Sequence, residues 1–114
     1  MSLAPLTTED ALAAQIESGE LLVAYFSTPT CNVCKVLRPK VDELCERLGV
    51  PGVFVDTVAL PATAGQRLVF AVPTVIVFGD RRELQRYGRH LSLSDLEGTL
   101  TRLVELLTPE PGDA

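Results

Sequence analysis

Tryptophan is absent from the 114 residues, histidine and methionine occur once each, and there are only three cysteines. Three cysteines do not make the disulfide framework of a small secreted domain. No basic residue precedes Lys35 and no apolar run precedes Leu21, so nothing reads as a secretory signal. No stretch approaches the length of a membrane span, and a reducing cytoplasm is the expected compartment. The net charge of −5 offers no basic stripe for phosphates, which argues against a nucleic-acid partner. Four arginines do cluster (Arg81, Arg82, Arg86, Arg89), but Glu83 interrupts them and they fall on an expected hairpin, so they read as a solvated face.

What is present is enough for one domain with one core, residues 1–114, and too little for two. The most informative stretch runs from Phe26 to Lys35 and contains Cys31-Asn32-Val33-Cys34. An apolar run, Leu21 to Phe26, precedes it and reads as a buried strand. Val36, Leu37, Val41, Leu44 and Leu48 follow at helical steps. The two cysteines therefore sit where a strand turns into a helix. There the first backbone N–H groups have no intrahelical acceptor, and the positive end of the helix dipole favours a thiolate. Residues three apart on a helix rise by roughly 4.5 Å, which leaves Cys31 and Cys34 within bridging distance. A redox dithiol is the leading reading. Two buried structural thiols remain an alternative, as does half a zinc site, although only Cys45 and His90 could complete the latter.

In chain order, Thr7 to Ser18 reads as a helix, with Thr7 and Asp10 at capping-box spacing and Gly19 as its stop. Glu20 to Ser27 is a continuously apolar strand, as in a sheet covered on both faces. A helix follows from Asn32 to Leu48, with Pro39 inside it and Gly49 at its end. Val53 to Val58 is a strand, and Leu60 to Phe70 supports a short helix. Thr74 to Phe78 is a strand, Gly79-Asp80 a turn, and Glu83 to Tyr87 an antiparallel edge strand. Ser92 and Asp95 open a last helix whose apolar face carries Leu93, Leu96, Leu100, Leu103, Val104 and Leu107. Pro109 to Ala114 is expected to be a disordered tail. These elements predict an α/β fold, a mixed four-stranded sheet with helices on both faces.

Taken in order, these features resemble the thioredoxin family over about residues 7 to 107. Cys31-Asn32-Val33-Cys34 stands at its active-site motif, and Pro39 stands where the family kinks its active-site helix. Val72-Pro73-Thr74, followed by Val75 to Phe78, looks like its cis-proline loop entering a central strand, and Gly88 before the last helix also matches. The family has a strand before the first helix; Pro5 interrupts the few residues left for it here, so that strand is expected to be short or absent. The resemblance implies that Pro73 is cis and packs on the dithiol, with the backbone of Val72 pairing with an extended substrate segment. Val72, Pro73 and Thr74 are thus the candidate substrate-binding residues.

A dithiol of this kind exchanges disulfides by attack of one thiolate and resolution by the second thiol. Cys31, at the first helical turn, is the expected attacker and Cys34, one turn in, the resolver; the family assigns the same roles. Cys45, roughly 16 Å further along the helix, is read as a small buried hydrophobe, and His90 as a surface residue. Four positions depart from the family's tuning residues. Thr30 replaces a tryptophan, Asn32-Val33 replaces Gly-Pro, and Tyr25 replaces a buried aspartate. A phenol is a poor base at neutral pH, so resolution is expected to speed up as pH rises. The retained N–H of Val33 is expected to stabilise the Cys31 thiolate and make the disulfide more oxidising.

Two functions follow from different classes. One is a thiol–disulfide oxidoreductase in cell redox homeostasis, acting as a monomer with no cofactor or metal. Its partners would be a disulfide-containing protein or low-molecular-weight thiol and a reductase, without nucleic acid or membrane. The other is a non-catalytic binding module on the same scaffold, its dithiol vestigial or redox-sensing.

Overall fold

A computed structural model describes residues 3–107; the tail expected to be disordered lies outside them. The order is β1 (Leu3–Pro5), α1 (Glu9–Glu17), β2 (Leu22–Ser27), α2 (Asn32–Leu48), β3 (Gly52–Asp56), α3 (Pro61–Gln66), β4 (Thr74–Gly79), β5 (Arg82–Tyr87) and α4 (Leu93–Leu107). The sheet has five strands in the order β1-β3-β2-β4-β5, not the four expected. β1 and β2 both run parallel to β3, and β4 runs antiparallel to β2 and β5.

The fifth strand is β1, three residues long. Its place is secured by tertiary contacts. Leu3 is buried in the core, its N–H donates to the Asp42 carboxylate at 3.0 Å, and the Leu6 N–H donates to the Phe54 carbonyl at 2.8 Å. Pro5 is tolerated because β1 is an edge strand, where a missing donor can face outward.

β2 and β4 are buried at every position, and the two-residue alternation of a strand divides their side chains between two apolar clusters. Val23, Tyr25, Val75 and Val77 pack with Cys34, Val41 and Leu44 of α2 and with Leu96 and Leu100 of α4. Leu22, Ala24, Phe26, Ile76 and Phe78 pack with Leu12 and Ile16 of α1 and with Ala64 of α3. A continuous apolar run is what a strand covered on both faces requires.

Local signals need small corrections. The side chain that caps α1 is Thr8, which accepts from the Ala11 N–H at 3.1 Å, rather than Thr7. Ser92 caps α4 through the Asp95 N–H at 3.2 Å, as its spacing suggests. The hairpin turns at Asp80-Arg81, both with positive φ (53° and 66°), the signature of a type I′ turn. Gly79 instead belongs to β4, and a Cβ there would stand 2.8 Å from the side chains of both Leu107 and Leu84.

Candidate active site

The chain leaves β2 through a turn closed by the Cys31 N–H to the Thr28 carbonyl (3.3 Å) and enters α2 at Cys31. Cys31 is the N-cap, with extended backbone (φ −84°, ψ 108°), and its Sγ accepts from the Cys34 N–H at 3.2 Å. An N-cap side chain faces the third residue into its helix, and in the disulfide form it is the Cys34 N–H that supplies the donor. Cys31 and Cys34 form a disulfide with Cα atoms 5.2 Å apart. Cys34 is buried at 1% exposure while Cys31 is half-buried, so the N-terminal sulfur is the more open one. Thr30, Asn32 and Val33 are exposed around it.

Tyr25 lies directly below. It is fully buried, and its hydroxyl donates to the Cys34 carbonyl at 2.7 Å. Burial pushes its pKa up to about 12, the nearby Arg38 charge opposing only in part, so the phenol stays protonated at neutral pH. The Tyr25 ring stacks near Phe54 (centroids 6.3 Å apart), and the Arg38 guanidinium sits 3.8 Å from the Phe54 ring centroid. Phe54 and Arg38 are residues that sequence reasoning missed. Their contacts join β2, β3 and α2, which no local spacing reveals.

The Val72–Pro73 peptide bond is cis. Pro73 is buried, and Val72 packs on the same apolar cluster as Cys31. The Thr74 hydroxyl donates back to the Ala71 carbonyl at 2.7 Å and fixes the loop where it enters β4. Arg86 holds the preceding segment, donating to the carbonyls of Arg67 (2.6 Å) and Leu68 (3.0 Å) while paired with Glu83. At least this member of the arginine cluster is therefore a structural tie rather than part of a solvated face.

The remaining candidates stand apart. Cys45 is a free, fully buried thiol whose pKa is pushed up to about 12, first by burial and then by the Asp42 charge. His90 is exposed in the turn before α4. Among the described residues no group of three or more His, Cys, Asp or Glu side chains could hold a metal ion.

A disulfide across the first turn of a helix, beside a sheet entered through a cis-proline loop, defines a class, the thiol–disulfide oxidoreductases. Comparison with known proteins narrows it. The thioredoxin family model matches residues 4–102. Thioredoxin of Chlamydia muridarum is 34% identical over 82 residues, covering 71% of this chain and 79% of that protein. Thioredoxin 1 of Thermosipho africanus is 32% identical with a TM-score of 0.70, covering 75% of this chain and 96% of that one. Fasciola hepatica thioredoxin is 28% identical with a TM-score of 0.79, over 88% and 98% of the two chains. The chain belongs to the thioredoxin family.

Proposed function

We propose that the chain exchanges its Cys31–Cys34 dithiol with disulfides of a protein or low-molecular-weight thiol partner, acting as a one-domain monomer in cytoplasmic redox homeostasis. The observation that carries this reading is the capped sulfur of Cys31, placed where a helix N-terminus favours a thiolate. The Cys31 thiolate attacks one substrate sulfur, the substrate S–S bond breaks, and one substrate thiolate leaves. Cys34 then loses its proton and attacks the Cys31 sulfur, releasing the second substrate thiolate. The substrate has gained two electrons and the protein has become the Cys31–Cys34 disulfide. A reductase returns two electrons and two protons. Val72, Pro73 and Thr74 hold the substrate as a short added strand.

Tyr25 supplies no base for the second step, so the Cys34 proton leaves to solvent and resolution accelerates as pH rises toward the thiol pKa. The test is trapping. Cys34→Ser accumulates mixed disulfides with partners and Cys31→Ser does not; equal trapping by the two variants contradicts these roles. The same substitution of Tyr25 for a proton acceptor favours a second reading, a binding module with a redox-sensing disulfide. Catalytic reduction of insulin with dithiothreitol by the wild type, lost in Cys31→Ser, would exclude it.

A further inference from the structure

A groove of about 480 Å³ runs along α2 beside the dithiol. One wall is the helical stripe Val33, Val36 and Leu37; the other is Leu91 and Leu93, from the turn before α4 and its first residue. Val36 is 63% exposed and Val33 38%, so this wall is apolar surface with nothing of the described chain upon it. The charged side chains that line the groove are Lys40 and Arg89, both cationic. Neither forms an ion pair with a described carboxylate. A cationic, apolar channel on a chain of net charge −5 is a local reversal of sign.

We propose that this groove selects the substrate: it takes a protein segment that carries an apolar side chain and then a carboxylate next to the cysteine being exchanged. The location of that cysteine rests on the reading of Cys31 as the attacking thiol. The spacing follows from the helix. Val36 and Leu37 lie roughly 8–9 Å along the axis from Cys31, and Lys40 roughly 13 Å. An extended segment advances about 3.3 Å per residue. The apolar side chain therefore belongs two or three residues from the substrate cysteine, and the carboxylate about four residues away, where it reaches Lys40; Arg89 lines the same groove from the other wall and adds a second cation. Exposed charge contacts are individually weak, so the groove ranks substrates rather than excluding them.

The test uses a peptide that reads the same in either direction: a central cysteine, leucine two residues away on each side, and glutamate four residues away on each side. It is presented as its mixed disulfide with 2-mercaptoethanol, beside versions with glutamine or lysine at the ends. At low ionic strength the reduced protein reacts with the glutamate peptide roughly 3- to 10-fold faster than with the glutamine one, and slowest with the lysine one. The differences collapse near 0.5 M salt. In Lys40→Glu with Arg89→Glu the order inverts. The net charge alone would make the lysine peptide fastest, and that result, or three equal rates, overturns the proposal.

A second arm separates this from the exchange reading. The Cys31→Ser, Cys34→Ser protein is titrated with the same peptides carrying serine for cysteine. The glutamate peptide shifts the amide resonances of Val33, Val36, Leu37 and Leu91 more than the lysine peptide does. These shifts without any exchange in the first arm support the groove and refute the catalytic reading. No shift with any peptide refutes the groove, even if exchange proceeds.

Discussion

Tyr25 and Cys45 are buried acids that must remain protonated while the chain is folded. Their pKa values rise from 10.0 and 9.0 to about 12 in each case, chiefly through burial. Because the folded values exceed the unfolded ones, the unfolded chain loses these protons first. The stability linked to them is fully present below about pH 9 and falls as pH rises toward about 12. Cys45 begins the loss, since its unfolded value is the lower. Cys45→Ala should cost about 1 kcal/mol near neutrality and flatten the decline above pH 9. Urea midpoints of the oxidised wild type and variant between pH 8 and 11 check this, and parallel declines would clear Cys45 of the effect. The two active-site cysteines were legible because their spacing and the strand-to-helix transition are local. Arg38 over Phe54, and the Tyr25 hydroxyl on the Cys34 carbonyl, were not, since they depend on how β2, β3 and α2 come together.

The helices end in two versions of the same device. After α2, Gly49 adopts φ 70° and the Val50 N–H reaches the Cys45 carbonyl at 2.9 Å. After α3, Leu68 adopts φ 57° and the Val69 N–H reaches the Ala64 carbonyl, also at 2.9 Å. Leucine in the left-handed region is strained where glycine is not. Leu68 is 63% exposed and has little packing to lose, so Leu68→Gly should stabilise the chain by up to about 1 kcal/mol. Gly49→Ala should destabilise it by a similar amount. Equilibrium denaturation of both variants decides; a loss in Leu68→Gly would mean that its side chain packs more than its exposure implies. This contrast also explains how well each helix could be read. α2 matched its expected bounds, Asn32 to Leu48, because periodicity and a terminal glycine agree. α3 proved shorter than the Leu60 to Phe70 segment in which it was sought, because its stop is a leucine that carries no such signal.

At the scale of the whole molecule, the sheet has two unlike margins. β5 presents Arg82, Glu83, Gln85 and Arg86, a polar edge that another strand would have to desolvate. The other margin is β1, the element that sequence reasoning left short or absent because three residues with a proline carry no pattern of their own. Its pairing with β3 and the bond from Leu3 to Asp42 hold it in place. Pro5 leaves its outer side short of a donor. Removing β1 would uncover the backbone of Gly52 to Phe54, a row of donors and acceptors with no charged side chain among them. Such a row is a template for a second molecule. A chain beginning at Leu6 should therefore self-associate with increasing concentration, two copies joining through β3, whereas the intact chain stays dispersed; light scattering of the two at matched concentrations would show it. The smallest strand would then act as a gatekeeper against assembly, and its worth would be measured in solubility rather than in catalysis.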